Sequence, residues 1–231
     1  LISFIKALLI LISGSIISGA GIPFLLFSKS GGIVSHIVSN TFSKVLLFIA
    51  GVRLEVEGRE KIDKNGRYIF ISNHLSNFDI PVLISAIRNN LRFIYKKSIA
   101  FVPFFGWAVY LGGYVPVDRS NARSGFEAIR KAAELIKEKG LSFIVFPEGT
   151  RSKDGNLGEF KRGGFLLANA AKEKIVPVTI IGSEKILPKN SFKIKSGIVK
   201  VILGEPVEFR EDKTFMNDIR EIIRKTLEEN K

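Results

Sequence analysis

Arg67-Tyr68-Ile69-Phe70-Ile71-Ser72-Asn73-His74-Leu75-Ser76-Asn77-Phe78-Asp79 is the stretch on which the fold turns. Residues 67–72 form a short apolar run rich in aromatic and β-branched side chains, the composition of a strand buried on both faces. The run passes directly into polar residues, and the pattern predicts a helix from about Asn77 to about Arg88. His74 therefore falls just past the C-terminal end of a strand, the edge at which α/β folds collect ligands. Asp79 falls in the first turn of the following helix. The loop bends between them, so a separation of five residues can return the carboxylate to the imidazole.

Reading outward, strands and helices alternate. Val52 to Val56 alternates like a strand, and Leu91 to Tyr95, Ser142 to Phe146 and Ile175 to Ile181 read as further strands. Ile198 to Leu203 and Val207 to Phe209 suggest late ones. Ser120 is a plausible N-cap for a helix ending at Gly140, with Phe126, Ile129, Ala133 and Ile136 on one face. Gly164 to Lys174 and Phe215 to Glu229 follow as helices. The expected fold is α/β, a partly parallel mixed sheet flanked by helices.

Residues 1–51 differ from the rest. They hold Lys6, Lys29, Lys44 and His36 and no acidic side chain. Leu1 to Phe27 is long enough to span a bilayer core as a helix, although Gly14, Gly19, Gly21 and Pro23 interrupt it. Gly31 and Gly32 mark a turn. From Ile33 to Ile49 the polar residues recur in pairs every fourth position, at Ser35/His36, Ser39/Asn40 and Ser43/Lys44, which aligns them on one helix face. The reading is an N-terminal membrane-binding helical hairpin, dipping into one leaflet or crossing twice. The hydroxyl-rich stripe packs against protein or lies at an interface. Residues 1–51 are thus expected to be a membrane-associated two-helix segment, and 52–231 an α/β domain.

Composition limits the chemistry. The chain has 231 residues, 46% of them hydrophobic, which suits a globular or membrane-associated protein. It has no cysteine, which removes disulfides, zinc-thiolate sites and a cysteine nucleophile, and its two histidines cannot build a histidine-rich metal site. The net charge of +13 calls for a polyanionic partner: nucleic acid, an anionic membrane, a phosphorylated substrate or an acidic carrier protein. The aromatics lie mostly in apolar runs, and no helix-turn-helix or RNA-binding motif is present, so nucleic acid is not expected.

A carboxylate on one imidazole nitrogen sets the tautomer and leaves the other nitrogen the better base. No G-x-S-x-G elbow supplies a serine nucleophile. A His/Asp pair without a protein nucleophile suggests direct attack by a substrate hydroxyl. On spacing alone His74 can equally be a polar loop residue and Asp79 a helix-terminal acid. A second constellation, Phe146-Pro147-Glu148-Gly149-Thr150-Arg151-Ser152, also follows a buried strand and should lie near His74. Its backbone N–H groups, Thr150 and Arg151 suit an anion, for which arginine forms paired charge-assisted bonds. Glu148 can accept from a substrate hydroxyl or hold an arginine. A third, Gly112 to Arg119, puts Arg119 beside a helix N-terminus. Lys96 and Lys97 add basic groups after a strand. Val176 to Ile180 reads as a core strand with a structural proline, with an acyl pocket as its alternative use.

Taken in order, NHLSNFD at 73–79, GGYVPVDR at 112–119, FPEGTRS at 146–152 and VPVTI at 176–180 resemble the glycerolipid acyltransferases typified by bacterial 1-acylglycerol-3-phosphate acyltransferase. The resemblance covers roughly Val52 to Phe209. It implies that His74 is the general base and Asp79 its orienting partner. It implies that Arg119, Glu148, Gly149, Thr150, Arg151 and Lys96 bind substrate, with Arg119 and Arg151 on the acceptor's phosphate. Backbone N–H groups near Gly149 are a candidate for the oxyanion that the resemblance does not itself supply. Lys96 looks like the lysine that often precedes a segment such as Val102-Pro103-Phe104-Phe105-Gly106, while Ser98 departs from the glutamate common in relatives.

The implied reaction moves a fatty acyl group from acyl-CoA or acyl-carrier protein (acyl-ACP) to the sn-2 hydroxyl of lysophosphatidic acid, without metal or cofactor. Anionic membrane lipids are implied partners, and the cytoplasmic face of the inner membrane the implied location. Glycerol-3-phosphate or another lysophospholipid is the alternative acceptor. A basic nucleic-acid-binding protein and a non-catalytic membrane adaptor are the readings outside acyl transfer, and the intact His74/Asp79 pair opposes the adaptor.

Overall fold

The computed structural model describes residues 1–28, 32–118, 120–152, 155–212 and 214–230. Its framework is a seven-stranded sheet. The strands are β1 (Val52–Glu57), β2 (Ile69–Ser72), β3 (Leu91–Lys96), β4 (Val115–Val117), β5 (Ser142–Val145), β6 (Ile175–Ile181) and β7 (Gly197–Leu203). Their order across the sheet is β1-β7-β6-β2-β5-β3-β4. Every neighbouring pair is parallel except β6 with β7, so the sheet is mixed, as the alternation of elements implied.

The central strands are apolar on both sides because both sides are covered. Phe70, Val176, Val178 and Ile180 point into one core, against α3 (Asp79–Ala86) and Val199 and Val201 of β7. Ile69, Ile71, Phe143 and Ile175 point into the other, against α5 (Ala122–Lys139), α6 (Arg162–Ala171) and α8 (Phe215–Glu229). Phe70 and Phe143 are fully buried, each worth about 1.5–3 kcal/mol of transfer free energy.

Several boundaries moved. Asn121, not Ser120, caps α5, its side chain accepting from the backbone of Arg123 and Ser124, while Ser120 bonds Asp118. The helix after His74 begins at Asp79, not Asn77. Val207 to Phe209 is no strand but a single bridge from Val207 to Ile175. Pro177 has no N–H to offer, so on the β7 side only its carbonyl is bonded, by the Gly204 N–H at 2.8 Å just past the end of β7, while pairing with β2 continues through Ile71. Helix α4 (Phe105–Leu111), strand β4 and the short helix α7 (Ser183–Ile186) went unread in the sequence.

At the N-terminus α1 (Ile2–Phe27) and α2 (Ile33–Ala50) pack as a hairpin, and both are long and apolar enough to cross a membrane. The glycines read as interruptions are contact points. A Cβ on Gly14 would lie 2.9 Å from the Phe42 ring, and one on Gly21 2.7 Å from Val38, so only glycine permits this approach of the two helices. Pro23 sits inside α1 without ending it. Lys6, the charge within α1, donates to the Ala50 carbonyl and to Ser196 Oγ. The hydroxyl stripe of α2 faces protein: Ser35 Oγ donates to the Gly112 carbonyl at 2.9 Å, and Asn40 Nδ2 to the Ile84 carbonyl at 3.4 Å. Leu46, Leu47 and Ala50 enter the same core as α3. The outer flank of α1 stays apolar and exposed from Ile2 to Phe27, which is the face of a membrane-binding hairpin.

Candidate active site

The C-terminal ends of β2, β5 and β6 lie side by side, and the residues that follow them build the site. Beyond β2, Asn73 continues the sheet with its side chain. Its Nδ2 donates to the Ile180 carbonyl at 2.9 Å and its Oδ1 accepts the Ile180 N–H at 2.8 Å. This amide pair stands where a backbone pair would, and it frees the chain to turn at His74.

The turn closes on Asp79. Its Oδ2 accepts from His74 Nδ1 at 2.7 Å and from the N–H groups of Leu75 at 2.7 Å and Ser76 at 2.9 Å. Its Oδ1 accepts from Ser183 Oγ at 2.5 Å. Because a carboxylate only accepts, Nδ1 carries the proton and Nε2 becomes the basic nitrogen. Asp79 is fully buried and His74 is 17% exposed. The His74 ring stacks on Phe146, with centroids 4.1 Å apart and planes 17° from parallel.

The loop after β5 grips the backbone of His74 from the other side. Glu148 Oε1 accepts the His74 N–H at 2.9 Å, and the Ser152 N–H donates to the His74 carbonyl at 2.7 Å. Glu148 Oε2 accepts the Gly158 N–H at 3.0 Å. Burial pushes the Glu148 carboxyl above the usual range, and the two N–H donors pull it partly back. One bond from each carboxylate oxygen thus goes to backbone, so Glu148 ties two loop segments together. Gly149 adopts φ of 70°, and its N–H closes the turn onto the Phe146 carbonyl at 3.0 Å. That N–H is therefore engaged in the turn, where the sequence reading looked for a donor to an oxyanion.

A cavity of about 860 Å³ opens beside His74, within the range of small-molecule sites. Its polar part is bordered by His74, Lys96, Gly149 and Lys161. Elsewhere the cavity runs between α2, α3 and α4, where the wall is mostly apolar, with Val38, Phe42, Leu46, Ile84 and Val109, and the serines Ser35, Ser39 and Ser43 of α2 also border it. Thr150 and Arg151 stand on the Glu148 loop without bordering the cavity. Arg119 lies outside the described residues. Residues Ile175 to Ile181 do not border the cavity, so the core-strand reading of this motif holds and the pocket reading does not.

Three contributors were missed in the sequence. Ser183 reaches Asp79 across 104 residues. Lys161 lies against Gly149, where a Cβ would be 3.2 Å from its Nζ. Lys189 donates to the Arg151 carbonyl and to Thr150 Oγ1. Only the Gly182-Ser183 turn straight after a buried strand offered a signal, since that is the ligand edge of the sheet.

A profile of the family described as Acyltransferase matches residues 53–181, more than half of the chain. The chain is 34% identical over 211 residues to the chloroplastic 1-acyl-sn-glycerol-3-phosphate acyltransferase LPAT1 of Arabidopsis thaliana, covering 90% of this chain and 58% of that protein. It is 32% identical over 160 residues to the 1-acyl-sn-glycerol-3-phosphate acyltransferase of Salmonella typhimurium, covering 68% of this chain and 64% of that protein. The chain thus spans just over half the length of several of the curated relatives it matches. The crystal structure of the 1-acyl-sn-glycerophosphate acyltransferase PlsC from Thermotoga maritima superposes with a TM-score of 0.84 at 25% identity, over 99% of this chain and 95% of that one. The profile match takes in β2 to β6, the His74–Asp79 loop and the Glu148 loop together, and by it this chain belongs to the acyltransferase family.

Proposed function

We propose that this chain is a 1-acylglycerol-3-phosphate acyltransferase, forming phosphatidic acid from lysophosphatidic acid and an acyl thioester. The observation that carries the reading is the 2.7 Å bond from His74 Nδ1 to Asp79 beside a cavity lined by cationic and apolar side chains. The acceptor's sn-2 hydroxyl lies at His74 Nε2. As its oxygen attacks the thioester carbonyl carbon, the proton passes to Nε2 and the carbonyl oxygen becomes an oxyanion. Collapse of the tetrahedral intermediate breaks the carbon–sulfur bond, and the departing thiolate of CoA or ACP takes the proton back. Asp79 steadies the imidazolium formed between these steps. Lys96 and Lys161 at the cavity, with Arg151 on the Glu148 loop, supply charge for the phosphate, and Arg119 keeps the phosphate-binding role that its motif implies. The apolar part accommodates an acyl chain.

Residues 1–51 serve as the membrane segment and 52–231 as the catalytic domain, held at the cytoplasmic face of the inner membrane where acceptor and product reside. The +13 charge favours anionic lipids, with about 1 kcal/mol for each suitably placed Lys or Arg.

The test is transfer of labelled acyl groups from acyl-CoA and acyl-ACP to lysophosphatidic acid, with glycerol-3-phosphate and other lysophospholipids in parallel. Phosphatidic acid should form with the native chain. His74→Ala should lose about 10²- to 10⁴-fold in kcat while staying folded. Undiminished turnover in folded His74→Ala would sink the mechanism, and exclusive use of glycerol-3-phosphate would reassign the acceptor.

A further inference from the structure

We propose that α4 and the turn before it form a second membrane-contact surface, separate from α1 and α2, that seats aromatic side chains in the interfacial layer of the bilayer. The proposal rests on the membrane reading above. Phe101, Phe104, Trp107 and Tyr110 recur at every third residue, and they are 76%, 45%, 48% and 64% exposed. The other side of the same segment is in use: Phe105, Ala108 and Val109 border the cavity. The segment therefore presents two faces, one to the site and one outward, and the outward one carries four large aromatics, two of which, Phe104 and Trp107, pack on each other. Single exposed apolar residues are ordinary on a soluble surface, but a contiguous aromatic stripe marks a contact.

Three observations make that contact a bilayer. The stripe is continuous with the hairpin. A Cβ on Gly19 of α1 would lie 3.5 Å from the Phe104 ring, and the exposed flank of α1 carries Ile16 and Phe24 on either side of that point. Phe104 also packs on Trp107, with centroids 5.4 Å apart, from a backbone at φ of 60° that non-glycine residues rarely adopt. The side-chain chemistry is interfacial as well. Tryptophan and tyrosine place an apolar ring at the headgroup level with a polar tip toward water. Lys97, just before the stripe, is exposed and has the reach to meet lipid phosphates. Seating this stripe in lipid also brings the cavity wall formed by the inner face of α4 to the membrane surface, where a lipid acceptor resides.

Trp107 is the only tryptophan in the chain, so fluorescence excited selectively at tryptophan reports on this surface alone. The full chain is reconstituted into mixed anionic and zwitterionic phospholipid vesicles, with or without bromine on the upper acyl carbons, and recovered by flotation. The expected result is emission shifted to the blue, mostly lost in brominated vesicles and insensitive to iodide. Emission that ignores bromine yet yields to iodide, in protein that floats, places the stripe in water and overturns the proposal. Emission that ignores both means a second copy of the protein covers it, which overturns it too. Failure to float sinks the membrane reading itself, and this surface with it. A second measurement uses Phe101→Glu with Tyr110→Glu in the full chain. KM for a long-chain acceptor in vesicles should rise about tenfold, with turnover of a short-chain acceptor in solution unchanged. Equal loss on both acceptors would count against a lipid contact.

Discussion

Four hydrogen bonds converge on the buried carboxylate of Asp79, from His74, Leu75, Ser76 and Ser183. Asparagine at this position keeps the shape but turns one oxygen into a donor that faces donors. We expect Asp79→Asn to lower kcat about 10²- to 10⁴-fold, the range of lost base catalysis. Each donor left unpaired should also cost about 1–3 kcal/mol of stability. Steady-state kinetics and thermal unfolding check both. Ser183 touches no substrate in this scheme and acts through Asp79, so Ser183→Ala should lower kcat roughly tenfold at constant KM. Ser183→Thr, which keeps the hydroxyl, should restore most of it. A loss of melting temperature with kcat intact would leave Ser183 a merely structural role. The His74–Asp79 pair was legible because the two residues share one loop. Ser183 was not, since nothing local to it encodes a partner 104 residues away.

The hairpin shows how one residue type can mislead when read alone. Glycine and proline in α1 suggest interruption by their helix propensities. The helix runs from Ile2 to Phe27 nonetheless, and Gly14 and Gly21 face α2, where they admit Phe42 and Val38. Gly21→Leu should therefore destabilise the protein by about 1–3 kcal/mol through overpacking. Ala20→Leu, one residue away on the exposed flank, should be close to neutral. Thermal unfolding in detergent separates them, and equal effects would mean that the α1–α2 contact contributes little. The serine stripe of α2 was readable as a stripe, but its partner was not. Only the folded chain brings Gly112 to Ser35.

At the scale of the molecule, the N-terminal hairpin and the sheet are joined by more than a linker. Leu46, Leu47 and Ala50 of α2 are buried in the core shared with α3 and β7, and Val38, Phe42 and Leu46 border the cavity. Removing residues 1–50 should therefore cost folding stability as well as membrane attachment, since each large apolar side chain taken from a core is worth about 1.5–3 kcal/mol. Changing only the exposed Phe4, Leu8 and Leu11 of α1 to serine should weaken attachment and leave the melting temperature near its starting value. Vesicle flotation beside circular dichroism would show it. Retention of full attachment by the serine variant would shift the anchoring role away from this flank of α1. Six of the seven strands, the long helices, the apolar N-terminus and the loops bearing His74 and Glu148 were legible along the chain, because each is set by residues close in sequence, through side-chain periodicity and turn chemistry. The strand order, the hold of Ser183 on Asp79, the place of Lys161 beside Gly149 and the hairpin's share in the cavity wall emerged with the fold. Those depend on contacts between segments far apart in the chain, which local periodicity does not specify.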